Sequence, residues 1–206
     1  MERARISWEG GNIGRLSIPP FRLEVGDLVC LHMPCLSDSE EEHLVVRVLI
    51  GELSQPGLSI SSRVLLADPP VFRAGLFSIF RRPLVRDWLR HKAGISSSEA
   101  RAIAESLGLK PDEQICRLAG NPRAMLGLRA AWASGAGAII FSTVGCDYSG
   151  VKALYEAVLS HIDQCPAIHL SYAYWTQGRR ERFCHPRARC LEVSPVQKPI
   201  AETKSA

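Results

Sequence analysis

Sulfur and imidazole are the side chains here with the most chemical reach. Seven cysteines stand at positions 30, 35, 116, 146, 165, 184 and 190, and Cys165, His169, Cys184, His185 and Cys190 fall close together in the chain. Such a set could ligate zinc, which takes thiolates and imidazoles in a tetrahedral arrangement. The paired C-x-x-C spacing of zinc sites is absent, however, and Ile168-His169-Leu170 reads as strand. An odd number of scattered cysteines fits free thiols buried as small hydrophobes, so no metal is expected. Cationic chemistry gathers at Arg81, Arg82, Arg86 and Arg90, and again at Arg179, Arg180, Arg182, Arg187 and Arg189. These clusters read as solvated surface, or as contacts for an acidic partner or lipid headgroups. They lack the interleaved aromatics of a single-strand-binding groove. A net charge of +4 with pI 8.8 is too mild for a nucleic-acid footprint, so nucleic acid is not an expected partner.

The elements that must position these groups come from a chain of 206 residues, 46% hydrophobic and 22% charged, enough for one domain with a packed core. Its longest uncharged apolar stretch, Ala130 to Cys146, is interrupted by glycine, serine and threonine. A membrane-spanning helix needs roughly 20 predominantly apolar residues, so none is expected. Met1 to Arg5 does not lead into the apolar core of a signal peptide, and the expected location is the cytoplasm.

Phe21 to Met33 alternates around Gly26-Asp27 and predicts two strands meeting there. Ser37 and Glu40 form a capping-box pattern ahead of Leu44 to Ile50, which predicts a helix closed by Gly51. Ser59 to Leu66 reads as one strand. A helical lobe is expected near residues 75–130. Within it Ser96-Ser97-Ser98-Glu99 caps a helix bearing Ala100, Ile103, Ala104 and Leu107 on one face, and Gly108 ends it. A second helix follows Asn121-Pro122. Ala138 to Val144, the periodic Val151, Leu154, Tyr155 and Val158, and Ala167 to Tyr172 form a βαβ unit with a parallel return strand. Residues 1–193 are expected to form a single unit, with 194–206 as a flexible tail.

In this order the landmarks resemble the ATP-binding cassette family, the nucleotide-binding domains of ABC transporters. Val25 to Leu31 resembles the strand entering the phosphate loop, and Leu44 to Glu52 the helix after it. Leu118-Ala119-Gly120-Asn121-Pro122-Arg123 stands in place of the Leu-Ser-Gly-Gly-Gln signature. Ala138 to Asp147 stands in place of the Walker B strand and D-loop, and Ile168 to Tyr172 in place of the switch strand. The resemblance implies an α/β fold, a P-loop NTPase-like core sheet with a helical subdomain.

The groups that each landmark should supply are largely replaced. A phosphate loop needs glycines whose N–H groups cradle phosphate, a lysine, and a Ser or Thr for magnesium. Met33 to His43 has no glycine and no lysine, and it adds Asp38, Glu40, Glu41 and Glu42 at a helix N-terminus. That end favours an anion, but the protein's own anions occupy it. At roughly 5 Å and an effective dielectric near 20, each carboxylate–phosphate pair costs about 3 kcal/mol. Ile140 and Phe141 stand at the positions of the magnesium-organising and catalytic acids, Ala67 near the Q-loop glutamine, and Tyr172 at the switch histidine. Ala119 and Asn121 replace the signature serine and second glycine.

Leu118, Gly120 and Asp147 are what remains of the nucleotide-facing set, with Trp8 as an adenine-stacking candidate that suits a core position equally. No catalytic residue and no cofactor are expected, and Mg-ATP is disfavoured. The resemblance implies two docking surfaces. One is a head-to-tail face near Leu118–Arg123 and Gly145–Asp147, which in the family meets a second cassette. The other is a groove around Ala67–Arg82 that in the family receives a permease helix. There Phe72, Phe77 and Phe80 with Arg73, Arg81 and Arg82 have the aromatic and arginine-rich character of interface cores. The expected function is a catalytically inactive subunit pairing with an active cassette or a permease, and so reaching the membrane's inner face only through a partner. The alternatives are a free-standing regulatory or scaffold pseudo-ATPase, and a residual ATP-binding protein or ATPase with altered nucleotide use.

Overall fold

A computed structural model describes residues 5–34, 39–70, 83–172, 174–176, 179–181 and 184–196. The chain opens with four short strands, β1 (Ile6–Trp8), β2 (Gly11–Ile13), β3 (Leu16–Ile18) and β4 (Phe21–Leu23). The long strand β5 (Leu28–Met33), helix α1 (Ser39–Leu49) and strands β6 (Leu58–Ile60) and β7 (Val64–Leu66) follow. Helices α2 (Val85–Ala93), α3 (Ser97–Ser106) and α4 (Gly120–Ala133) then precede β8 (Ala138–Ser142), α5 (Tyr148–His161) and β9 (Ala167–Tyr172). The last described strands are the paired β10 (Tyr174–Thr176) and β11 (Arg179–Glu181), then β12 (Arg189–Glu192) and β13 (Ser194–Pro195).

The framework is a five-stranded parallel sheet in the order β12-β5-β9-β8-β7. Every residue of β5 is buried, as expected of a parallel strand covered on both faces. Alternate residues serve opposite sides. Val29, Leu31 and Met33 join Ile140, Ile168 and Leu170 under α1, whose Val45, Val48 and Leu49 face them. Leu28, Ile139, Phe141 and Ala167 meet Leu128 of α4 and Leu154, Tyr155 and Val158 of α5 on the other side. Helix α4 is shared. Its Leu126 and Ala130 turn away from the sheet into a separate core with Val85, Leu89, Ala100, Ala104, Ile115 and Leu118.

Local chemistry explains several element ends. The Ser96 side chain accepts the Glu99 N–H, and the Glu99 carboxylate accepts the Ser96 N–H, the expected capping box. Helix α3 ends at Ser106, and Gly108 follows with φ +69°. The βαβ unit forms as expected, β8 and β9 lying parallel and adjacent around α5. The Ser37 half of the other capping box lies outside the described residues, although its helix is present as α1.

Three sequence expectations are corrected. β4 and β5 are joined by a turn at Gly26 (φ +89°), but they enter different sheets, β4 pairing with β1 and β5 with β9. Ser59 to Leu66 is two strands, not one. Ser61 N–H donates to the Arg5 carbonyl and Arg63 C=O accepts from Gly137, so β6 joins the antiparallel β4-β1-β6 sheet while β7 joins the parallel one. The beginning of the expected flexible tail is structured: β13 pairs with β3, and Val196 N–H donates to the Arg15 carbonyl. Residues 197–206 lie outside the described set.

Ile168, fully buried in the middle strand, tests the sheet core. Ile168→Ala is expected to lower unfolding free energy by about 2–5 kcal/mol, read as a lower urea midpoint at unchanged slope.

Candidate functional site

Open parallel sheets bind ligands beyond the carboxyl ends of their strands. At that edge here, β5 leads to the start of α1, whose first turn holds Glu40, Glu41 and Glu42. Glu41 has a protein partner. Its carboxylate accepts the Arg15 backbone N–H at 3.0 Å and pairs with Arg15 Nε at 2.6 Å. Gly14 makes room for it: φ is +58°, and a Cβ there would lie 2.2 Å from Glu41 Oε2. One of the acidic side chains is therefore spent on the β2–β3 hairpin, while Glu40 is exposed. Asp38 lies outside the described residues.

The strand positions that would hold acids are apolar and sealed. Ile140 is fully buried and Phe141 is 1% exposed. Phe141 stacks on His169 with centroids 4.9 Å apart and meets Tyr155 edge-on at 5.7 Å. The buried His169 ring pairs its Nδ1 with the Tyr155 hydroxyl at 2.7 Å and its Nε2 with Thr143 Oγ1 at 3.3 Å. Burial, with His32 nearby, pushes its pKa down to about 3, so the imidazole is neutral. Ala67 is buried, its N–H donating to the Ile140 carbonyl, and Tyr172 is half-buried against the α1-side core.

The signature segment and the turn after β8 form one interlocked corner. Gly120 opens α4 so close to that turn that a Cβ would lie 1.9 Å from the Gly145 carbonyl oxygen. Asn121 donates from Nδ2 to Asp147 Oδ1 at 2.8 Å, and its Oδ1 accepts the Asp147 N–H at 3.1 Å. Asp147 also caps α5, accepting from Gly150 N–H at 2.9 Å and Ser149 Oγ at 2.7 Å. Those donors hold its carboxyl down at about 2, the Gly150 N–H contributing most, then Ser149 and Asn121. Asn121 fills the space above Gly150, where a Cβ would fall 2.0 Å from Asn121 Oδ1. The sequence reading counted Asn121 only as a lost glycine and missed this lock. Asn121 and Asp147 are 26 residues apart, so no local signal points to their pairing.

Of the expected nucleotide-facing residues, Gly120 and Asp147 are brought together. Leu118 is separate, its side chain buried in the lobe core. Trp8 sits in the core, 2% exposed, with its indole N–H donating to the Ile18 carbonyl at 3.1 Å, and offers no open face for a base to stack on. Phe72, Arg73, Phe77, Phe80, Arg81 and Arg82 lie outside the described residues. Metal-type ligands converge elsewhere, at Cys30, His32, Cys184 and Cys190.

Two outcomes test the corner. Gly150→Ala should cost about 1–3 kcal/mol by forcing a methyl into Asn121, and most of that cost should vanish in an Asn121→Ala background, read by urea unfolding of the four proteins. Asp147 has a folded pKa of about 2 against an ordinary 3.8. Its stabilisation is complete above the ordinary value and is lost as pH falls from there through the folded one. Asp147→Ala should therefore be less stable than wild type at neutral pH, with the gap closing between about pH 4 and pH 2 in denaturation midpoints.

No family model matches the chain, and no curated protein sequence matches it. Solved structures do resemble its fold. A metal-chelate-type ABC transporter in an inward-facing conformation superposes with TM-score 0.63 at 12% identity, over 89% of this chain and 83% of that one. CbiO1 from Clostridium perfringens, part of the ABC transporter complex cbiONQ, gives 0.57 at 12% identity, covering 87% and 88%. An ATP-binding subunit of an ABC transporter gives 0.55 at 16% identity, covering 88% of each chain. The parallel sheet, the helices on its two faces and the helical lobe beside them are thus the fold of the ATP-binding cassette, carried on a sequence far from those of its structural neighbours.

Proposed function

We propose that this chain is a non-hydrolysing cassette, a subunit that keeps the architecture of a nucleotide-binding domain and works by docking to a second cassette or a permease of a transport complex. The observation that carries this reading is the chemistry of β8, beneath the sheet's carboxyl edge. Ile140 and Phe141, at the positions where the resembling family carries its acids, are buried hydrocarbon. Neither can organise magnesium or take a proton from an attacking water. The loop before α1 lacks the glycines and the lysine that would hold a triphosphate, and its following helix begins with carboxylates. The fold needs none of the missing groups, because its sheet is stabilised by apolar burial on both faces.

Docking has a surface available. Val144 is 56% exposed and Tyr148 is 81% exposed, and they flank the Asp147 corner. Beside them a cleft is lined by Pro69, Pro70, Gly120, Arg123, Val144 and Gly145. Exposed apolar and aromatic side chains beside a rigid corner suit a protein contact. In the resembling family this corner faces a second cassette. Among the described residues no helix is long and apolar enough to cross a membrane, and membrane contact in this reading runs through the partner.

The purified chain incubated with Mg-ATP is expected to release phosphate no faster than a protein-free control. Turnover that disappears in Asp147→Ala would overturn the proposal. Native expression followed by fractionation separates the partner readings. Co-sedimentation with membranes, released by detergent as a complex, is expected. A soluble monomer would instead indicate a free-standing scaffold.

A further inference from the structure

Cys30 and His32 are two residues apart on β5 and therefore point to the same face of the sheet. β12 pairs beside β5 in parallel with Cys190 opposite Cys30, which brings a second sulfur to the same face. Cys184 arrives through the turn before β12, which is closed by the Ala188 N–H donating to the His185 carbonyl. Stacking of His185 on Tyr155, with centroids 5.1 Å apart, fixes that turn against α5. The outcome is three sulfurs and one imidazole nitrogen whose ligand atoms all lie within 4.8 Å of one another. From this geometry we infer that Cys30, His32, Cys184 and Cys190 form a structural zinc site that fastens the edge strand β12 and its preceding turn to the core strand β5.

The donor set and its size fit that ion. Zinc takes cysteine sulfur at about 2.3 Å and histidine nitrogen at about 2.0 Å in a tetrahedron, which puts neighbouring sulfurs about 3.8 Å apart. The separations within the 4.8 Å envelope adjust to that edge by side-chain movement, the Cys184–Cys190 pair opening once its disulfide is reduced. Four protein ligands close the coordination sphere, as structural sites do and catalytic ones do not. Supporting groups are in place: the Ser171 side chain hydrogen-bonds the Cys30 sulfur, and His169 Nδ1 stands 3.5 Å from it. Such outer contacts orient ligands and tune their basicity. Three thiolates around a divalent ion leave one net negative charge, in a segment that carries Arg187 and Arg189 and also Glu192, whose carboxylate acts on Cys30.

In the structure Cys184 and Cys190 are joined as a disulfide, whereas Cys30 is a free thiol. A disulfide between those two needs nothing from Cys30 or His32, whose ligand atoms lie in reach of the same two sulfurs. Disulfide and zinc site are alternative states of one ligand set, since the bonded sulfurs cannot both bind metal as thiolates. Passing to the zinc form takes two electrons and two protons, which yield two thiols. Zinc then displaces the thiol protons to the buffer. The site stands independently of whether the chain handles nucleotide.

The test uses the full chain. It is reduced under nitrogen with a phosphine, which gives up the two electrons and becomes its oxide by taking oxygen from water, while the two protons of that water end on the sulfurs. After removal of excess reductant, cobalt(II) is titrated as a spectroscopic probe and zinc is added last. One equivalent of cobalt is expected to produce intense tetrahedral ligand-field bands and thiolate charge-transfer absorption, which one equivalent of zinc abolishes. Cys190 is exposed and Cys184 half-buried, so Cys190→Ser and Cys184→Ser/Cys190→Ser leave the core untouched, and circular dichroism checks their folding. Cys190→Ser should bind at least about 100-fold more weakly. Cys116→Ser, in the lobe, should bind as wild type does. Absence of charge-transfer absorption in the reduced, folded wild type would overturn the proposal, as would an unchanged spectrum in the double variant.

Discussion

Burial of the parallel strands β5, β9 and β8 on both faces is the constraint on which the rest of this structure depends. Val29, Leu31, Ile140, Ile168 and Leu170 on one side, and Ile139, Phe141 and Ala167 on the other, stand at 1% exposure or less. Hydrophobic burial of that kind is non-directional and indifferent to what happens at the strand ends. A strand placed there can exchange carboxylates for Ile140 and Phe141 and gain stability, because an uncompensated buried carboxylate is costly. His169, one of two buried imidazoles on these strands with His32, is held neutral and bonded to Tyr155 and Thr143. Its environment is the resolved form of what would otherwise be a buried polar penalty.

The same logic reaches the functional edge. At the signature's second-glycine position this chain places Asn121, whose amide bonds Asp147 and covers Gly150. Asp147 is thereby committed to internal hydrogen bonds: it caps α5 and clamps it to α4. Glu41 is likewise committed, to Arg15 and the β2–β3 hairpin. These polar groups act as fasteners, and beside the exposed Asp147 and Ser149 the corner presents Val144 and Tyr148 outward.

How much of this was legible in the sequence follows the range of the interactions. The capping box of Ser96 and Glu99 acts within one turn and was readable from four letters. The βαβ unit from Ala138 to Tyr172 has a period for each element and a crossover of fixed hand, so it too was readable. The order of elements was readable because the spacing of the landmarks matches the cassette fold. Ser59 to Leu66 misled because its apolar ends, Ile60 and Val64 to Leu66, read as one strand across the polar Ser61-Ser62-Arg63, where pairing of Ser61 with Arg5 and of Arg63 with Gly137 sends the two halves into different sheets. Trp8 had two compatible roles, and only the depth of the β1 region chose the core. Cys30 and His32 gave no sign of Cys184 and Cys190. Nothing local links residues so far apart in sequence, and it is the β12–β5 register that sets them opposite each other.

The central claim is that the fold has been kept without a phosphate site. Calorimetric titration of the purified chain with ATP and magnesium, at modest salt, tests it most directly. The account predicts no heat of binding up to millimolar nucleotide. Saturable binding at micromolar ATP would contradict it, because neither a loop without glycine or lysine nor a strand of buried Ile140 and Phe141 could supply that affinity.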